Sequence, residues 1–290
     1  MNEVKKMADK YYSCFKEVVK VDFNLNNYMI EHLKKTDTII TQLIKIKNEI
    51  LTEYTDALQK RLVAEVGKYS IDTNSINFDE SNNELFYLEK NPQLKKLIIN
   101  YLAKRIALPV DTKISSELTK FSNLAMFKAY HALSYYRVKA LTDVLGKEDG
   151  LKLYIKVLNL FVKEWFKDEE INPDQTVKSR NERAVKNWCK YGVGDFTFTF
   201  IDNDQVIYRF DKCVTHEALK EFNDPDIAYA SSCLMGDVEE WNKKDVIHLR
   251  RTQTLHHAEF CDELYWDSRV HTTPPEQPTL DFTKNIGKKK

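Results

Sequence analysis

Glycine is scarce in this 290-residue chain, with seven in all, and neither GxGxxG nor GxxxxGK followed by Ser or Thr occurs. The two common phosphate-cradling loops are therefore excluded. Net charge is also lacking: 44 Lys and Arg balance 44 Asp and Glu. A chain without a global positive field is a poor general binder of nucleic acid. No apolar run approaches the roughly 18 residues that a membrane span needs. The first residues, MNEVKKMADKYYSCFKEVV, lack the apolar centre of a secretory leader. Cysteine is odd in number, at five, and no CxxC pair exists. That pattern predicts free thiols in a reducing cytoplasm.

What remains is a soluble-type composition, 42% hydrophobic and 30% charged, with fifteen Tyr, fifteen Phe and four Trp to fill a core. Periodicity divides the chain. From Tyr28 to Val66, Leu33, Ile40, Leu43, Ile46, Ile50, Tyr54, Leu58 and Leu62 recur in steps that share one helical face. A single helix there would be roughly 60 Å long. This predicts either a homodimer through these helices or a hairpin broken between Asn48 and Thr55. Residues 69–90 read as a polar loop. Helix resumes after Pro92. After Pro109, with Asp111 or Thr112 as cap, a further helix is expected through to Gly146. Leu151, Tyr154, Ile155, Leu158, Phe161, Val162 and Trp165 mark the next stripe. Residues 168–182 read as a charged connector.

The period changes at Gly194. Phe196, Phe198 and Phe200 alternate with Thr197 and Thr199, and Val206, Tyr208 and Phe210 alternate beyond Asp202-Asn203-Asp204, which predicts a β-hairpin. Asp224-Pro225 opens a helix expected to reach Trp241. Residues 245–266 read as a second strand region, with His248, Arg250, Thr252, Thr254 and His256 on one polar face. The expected fold is α+β: a helical N-terminal part, then a small antiparallel sheet with one packed helix. The expected division is 1–110 helical, 111–266 α+β, and 267–290 a mobile tail that ends in three lysines.

Most of the chemistry-bearing residues gather between Cys189 and Cys261. Cys233 and Asp237 are four apart, so a helix would place them on one face, one turn after Tyr229. Gly236 inside that helix costs about 1 kcal/mol against alanine, which suits a close approach by another segment. Cys261 follows His256-His257, and a thiol beside an imidazole is the raw material of a cysteine nucleophile. The competing reading is a small buried hydrophobe. Metal is unsupported by ligand spacing, since neither HExxH nor paired CxxC occurs. No cofactor is expected.

These residues resemble a known family. The order Cys213, Cys233 with Asp237, Arg251-Thr252-Gln253-Thr254-Leu255 and Cys261-Asp262 is similar to the C-terminal arrangement of the L-2-amino-thiazoline-4-carboxylic acid hydrolase family, over about residues 130–266. The family's glycine before the cysteine is replaced by the stretch His256-His257-Ala258-Glu259, and its CDF reads Cys261-Asp262-Glu263. The resemblance implies a hydrolase that opens a small cyclic amidine, thiazoline or amide by adding water. Chemistry then assigns roles: Cys261 as nucleophile, His256 or His257 as its base, and Asp237 for the amidine nitrogen. Arg250 or Arg251 would take a substrate carboxylate, beside Cys233, Thr252 and Asp262. The rivals are a non-catalytic ligand-binding or sensory module, a ring-modifying biosynthetic enzyme on the same fold, and a helical assembly protein. Expected partners are a small-molecule substrate and, through the long helices, a second copy, with neither nucleic acid nor membrane.

Overall fold

A computed structural model describes residues 8–78 and 85–287. Part of the expected 69–90 loop and the terminal lysines lie outside the described residues. The fold is α+β, with helices first and an antiparallel sheet after them. It separates into two compact units, and the boundaries are not those expected. One unit holds Val18–Trp165 with Ala230–Ser232. The other holds the described residues of Met1–Glu17, Phe166–Tyr229 and Cys233–Lys290. The expected cut at residue 110 fails because the helices on either side of it pack on one another.

The first unit is a helical bundle. Its helices are α1 (Leu25–Lys47), α2 (Leu51–Val66), α3 (Pro92–Arg105), α4 (Asn123–Leu145) and α5 (Lys147–Trp165). The Asn24 side chain caps α1 by accepting from the Asn27 N–H at 2.9 Å. The long apolar stripe is not one rod. Lys47 leaves helical geometry (φ −155°, ψ 66°), and a 3₁₀ turn, Asn48–Ile50, redirects the chain into α2. Leu33, Ile40, Leu43, Ile50, Tyr54, Leu58 and Leu62 are all buried within the chain. The stripe therefore needs no second copy to cover it.

The helix expected from residue 113 begins later, at Asn123, under a Ser122 cap. The preceding β3 (Leu118–Ser122) pairs antiparallel with β2 (Lys20–Asn24) in a two-stranded ribbon. Gly146 ends α4 at φ +80°, a conformation open to glycine. α5 then packs back so closely that a Cβ on Gly150 would lie 2.7 Å from the Thr142 Cα. In the polar connection before α3, buried Asp37 accepts the Phe86, Tyr87 and Leu88 N–H groups at 2.7–2.8 Å.

The second unit is built on a five-stranded antiparallel sheet. Its strands are β1 (Tyr11–Ser13), β4 (Gly194–Phe200), β5 (Gln205–Cys213), β6 (Ile247–Arg250) and β7 (Cys261–Asp267), in the order β1-β4-β5-β7-β6. The expected hairpin is β4–β5, closed where Asp202 Oδ1 accepts the Asp204 N–H at 2.7 Å. Pleating divides the sheet into two faces. Phe210, Tyr208 and Val206 stand opposite Cys261, Glu263 and Tyr265 on one face. Arg209 and Ile207 stand opposite Asp262 and Leu264 on the other. The first face packs with Val177 and Val185 of α6 (Val177–Tyr191), which starts at a Thr176–Ser179 capping box. The expected connector therefore ends at Gln175. The second face is covered by Ile286, packed against Ile207, Leu264 and Trp266.

Several expectations fail in this unit. Residues 225–241 are not one helix. They form α8 (Pro225–Ala230), a 3₁₀ turn Cys233–Gly236 and α9 (Glu239–Asn242), after a short α7 (Val214–Leu219). The sequence SSCLMG, with glycine at its end, is too weak a helix former to hold one axis. The second strand region is likewise two strands separated by a loop. Thr254 O accepts the His257 and Ala258 N–H groups, both at 2.9 Å, which makes a turn. The alternating polar face thus ends at Arg250. The C-terminal stretch is no free tail: it carries α10 (Leu280–Lys284), and Arg250 Nε donates to the Gln277 side chain at 3.3 Å. Finally, Cys14 and Cys189 form a disulfide, while Cys213, Cys233 and Cys261 are not disulfide-bonded. This corrects the expectation of five free thiols. Spacing could not show it, because the partners are 175 residues apart.

Candidate functional site

The first face of the sheet carries a cluster of charge at its β7 side. Arg251 directly follows β6. Its Nε lies 2.9 Å from Asp237 Oδ1 and its Nη1 lies 3.3 Å from Glu263 Oε1. The Tyr229 hydroxyl donates to Asp237 Oδ2 at 2.9 Å, and the Tyr265 hydroxyl donates to Glu263 Oε2 at 2.7 Å. Arg180 on α6 lies over the Tyr265 ring, 3.6 Å from its centre. One guanidinium thus sits between two carboxylates, and each carboxylate takes a tyrosine hydroxyl. Gly236 makes the approach possible, since a Cβ there would stand 2.7 Å from Arg251 Nη2.

The electrostatics follow from partial burial. The side chains of Asp237, Glu263 and Arg251 are 17%, 14% and 10% exposed, which leaves each reachable from solvent. Desolvation raises the Asp237 carboxyl above its ordinary range, and the opposing pull of Arg251 and of the Tyr229 hydroxyl does not cancel it. Burial works against the Arg251 cation, but Glu263 and Asp237 outweigh it and hold the group firmly charged. Burial, then the Asp237 charge, raises the Tyr229 hydroxyl. A carboxyl displaced upward beside a hydroxyl and a fixed cation is equipped for general acid–base work.

Cys261 begins β7 and does not end a strand. It is buried, and its Sγ accepts the Leu255 N–H at 3.0 Å. Burial, followed by Cys213, Cys233 and Glu263, pushes its thiol well up. That environment favours the neutral thiol over the attacking thiolate. Cys233 lies within electrostatic reach of Arg251, Tyr229 and Cys261, so it borders the cluster without sharing a continuous helix with Asp237.

The histidines go elsewhere. His256 packs edge-on against His216 at 5.4 Å, and burial lowers it to about 4. His257 is exposed, 3.0 Å from Asp226, with its ring 5.7 Å from that of Tyr229. It stands at the outer rim of the cluster, one contact from Asp237.

Arg250, Thr252 and Asp262 are placed on structural duty. Arg250 donates to the Pro275 carbonyl on the opposite face of the sheet. Asp262 is fully buried. Its Oδ1 accepts the Thr252 and Gln253 N–H groups, both at 2.8 Å, and its Oδ2 accepts the Thr252 hydroxyl and Gln277 Nε2. Three of these four accepted bonds fix the loop that follows Arg251, and the fourth holds Gln277 of the C-terminal stretch. Arg250, Thr252 and Asp262, expected to bind substrate, are thus engaged in hydrogen bonds within the chain.

Glu263 and Tyr265 were missed by the sequence reading. Strand period from Cys261 was the signal that would have put them on its face. Arg180 has no such signal. Among the described residues, no group of three or more His, Cys, Asp or Glu side chains is placed to hold a metal ion, and no helix is long and apolar enough to cross a membrane. Comparison of the chain with protein-family models, curated proteins and solved structures found no match.

Proposed function

We propose that the Asp237–Arg251–Glu263 cluster is the centre of a hydrolase-like site that adds water to a small cyclic amidine, thiazoline or amide. The observation that carries this reading is the Asp237 carboxyl, displaced upward, joined to the Tyr229 hydroxyl at 2.9 Å and braced by Arg251. An amidine accepts a proton readily, and an acid at its nitrogen makes the ring carbon electrophilic. Asp237 is the proton donor in this reading, and Glu263 offers a second carboxylate to the amidinium that forms. Arg251 is a positioning residue that fixes both carboxylates. Cys261, as a neutral buried thiol, is assigned to packing, so the carboxylate-assisted route is favoured over covalent catalysis.

Turnover of 2-amino-thiazoline-4-carboxylate and a panel of small cyclic amidines tests this, scored per folded molecule. Asp237→Asn should lower kcat by at least a hundredfold, in the range of a lost general acid. Cys261→Ala should keep turnover within about tenfold of wild type. Loss of turnover by a folded Cys261→Ala protein, with Asp237→Asn active, would move the chemistry to the thiol. Binding of panel members without turnover by wild type would end the hydrolase reading in favour of a ligand-binding module.

A further inference from the structure

Arg180 sits in the first turn of α6, where the Thr176–Ser179 capping box fixes the start of the helix. The Ser179 N–H donates to Thr176 Oγ1 at 3.1 Å, and the Thr176 N–H donates to Ser179 Oγ at 3.0 Å. The next residue, Asn181, is fully buried and accepts the hydroxyl of Tyr208 on β5. These anchors hold Arg180 over the first face of the sheet, with its guanidinium carbon 3.6 Å from the centre of the Tyr265 ring. Glu263 lies within its electrostatic reach, as do the Tyr265 and Tyr208 hydroxyls. Its Nη1 is buried and makes no hydrogen bond. A guanidinium with an idle buried donor is a costly cover for an aromatic ring, and an apolar side chain would serve packing better. The charge is what needs an account.

Apart from Arg180, the two carboxylates of the cluster are matched. Asp237 and Glu263 have side chains 17% and 14% exposed, and both face Arg251, at 2.9 and 3.3 Å. Each accepts one tyrosine hydroxyl, from Tyr229 on α8 and from Tyr265 on β7, at 2.9 and 2.7 Å. Cys233 also faces Arg251, from the turn before Asp237. Burial, then the Glu263 charge, keeps the Tyr265 hydroxyl in the neutral form that can donate. Arg180 breaks the match. It places a second guanidinium behind Tyr265, on the Glu263 side, whereas the cation beside Asp237 is Arg251. A cation favours the ionised form of a nearby carboxylate, so the acid served by two holds its charge more firmly than the acid served by one.

We propose that Arg180 is a positioning residue of the Asp237 cluster: acting on Glu263 across Tyr265, it makes Asp237 the first of the two carboxylates to take up a proton as pH falls. Without Arg180, each acid would have one shared guanidinium and one tyrosine hydroxyl, and the pair would titrate as near equals. A proton divided between them would spend much of its time on Glu263, away from the Tyr229 side of the cluster. The general acid would be diluted to that extent. The proposal deepens the reading of Asp237 as the proton donor, and its catalytic meaning rests on that reading. The order of protonation itself is a property of the protein without substrate.

The test is carbon-13 NMR titration of the side-chain carboxyls in the full chain without substrate, with the two signals assigned from Asp237→Asn and Glu263→Gln. In wild type the Asp237 midpoint should lie above that of Glu263. In Arg180→Met the Glu263 midpoint should rise by about half a pH unit or more and close the gap, because a cation has left its side. Arg180→Lys keeps the charge and should preserve the wild-type order. An arginine that only packs would change the melting temperature and leave the midpoints in place. If Arg180→Met does not fold, Tyr265→Phe replaces it: the ring stays, the hydroxyl between Arg180 and Glu263 goes, and the Glu263 midpoint should again rise. A wild-type Glu263 midpoint above that of Asp237, an unmoved Glu263 midpoint in the folded variant, or a rise as large in Arg180→Lys as in Arg180→Met would each overturn the proposal. No substrate enters the measurement, so a wild type without turnover would end the hydrolase reading while the midpoints alone still decide the role of Arg180.

Discussion

Reduction of the Cys14–Cys189 disulfide should unlock the sheet unit and leave the helical unit standing. The bond ties the segment after β1 to the last turn of α6, and the chain between the two cysteines runs through Val18–Trp165 of the helical unit. Two limits bound its effect. If both units unfold together, the 175-residue separation gives about 5 kcal/mol of chain-entropy stabilisation. If the helical unit stays folded, only ~28 residues of flexible chain close the loop, and the figure falls to about 3.5 kcal/mol. Other contacts share the anchoring. The Phe15 N–H donates to Asp195 at 2.8 Å, the Asp9 N–H donates to the Phe198 carbonyl at 2.8 Å, and Tyr12 stacks on Phe196 at 5.1 Å. The lower figure is the better expectation, because these contacts keep the N-terminal segment seated until the unit opens. Urea unfolding with and without dithiothreitol measures it, with Cys14→Ser/Cys189→Ser as the permanently open control. Trp188, Trp241 and Trp266 belong to the sheet unit, so fluorescence reports mainly on it, while far-UV circular dichroism reports mainly on α1–α5. The fluorescence midpoint should fall by roughly 2 M urea and the dichroism midpoint by much less. A fluorescence midpoint indifferent to reductant, or five titratable thiols in the unreduced folded protein, would refute the reasoning.

Two further outcomes follow from the same unit. Burial lowers His256 from 6.5 to about 4, so the folded state resists protonation and the unfolded state does not. The stability this contributes is complete above pH 6.5 and is lost as pH falls from about 6.5 to about 4. At pH 5 the loss is about 2 kcal/mol, and His256→Gln should show that much less acid destabilisation between pH 7 and 5 in urea titrations; equal pH dependence in both proteins counts against the assigned burial. Gly236→Ala sets a helix-propensity gain of up to about 1 kcal/mol against a Cβ 2.7 Å from Arg251 Nη2 and 3.2 Å from Leu249 Cδ2. Arg251 is held by Asp237 and Glu263 and cannot swing away freely, so the variant should lose about 1–3 kcal/mol and any turnover that depends on Asp237. A neutral or more stable Gly236→Ala protein would mean that Arg251 is not fixed.

The elements that were legible in the sequence are those set by local periodicity. The β4–β5 hairpin follows from Phe-Thr alternation and an Asp-Asn-Asp turn, and α5 follows from its apolar stripe. The elements that were not legible depend on partners far along the chain. β1 exists because β4 offers an edge, and Tyr11-Tyr12-Ser13 alone carries no strand pattern. Residues 252–260 have enough β-branched and alternating character to pass for strand. They become a loop because Asp262, ten residues on from Thr252, captures their amides. The same limit applies to the site. Cys233, Asp237 and Arg251 were found by residue type and do gather, but the histidines nearest Cys261 in sequence make other contacts, His256 with His216 and His257 with Asp226. Adjacency along a chain places side chains together only where the backbone between them is regular, and the turn at Thr254 removes that condition.

Arg251 and Arg137 show how much of a site's meaning lies in charge balance and how little in residue type. Both are guanidinium groups largely removed from bulk water. Arg251 has Asp237 and Glu263 beside it, and Arg180 lies over Tyr265 within electrostatic reach of Glu263, so two guanidinium groups face two carboxylates and the cluster is balanced. Arg137 has only Thr36 and Ser134 as hydrogen-bond acceptors among the described residues, so its charge has no counter-charge there. Replacing Arg251 should therefore strand two carboxylates and destabilise the sheet unit, whereas replacing Arg137 by an apolar side chain of similar length should not destabilise the helical unit. The two substitutions are chemically alike, and the opposite signs of their effects follow from the neighbours alone.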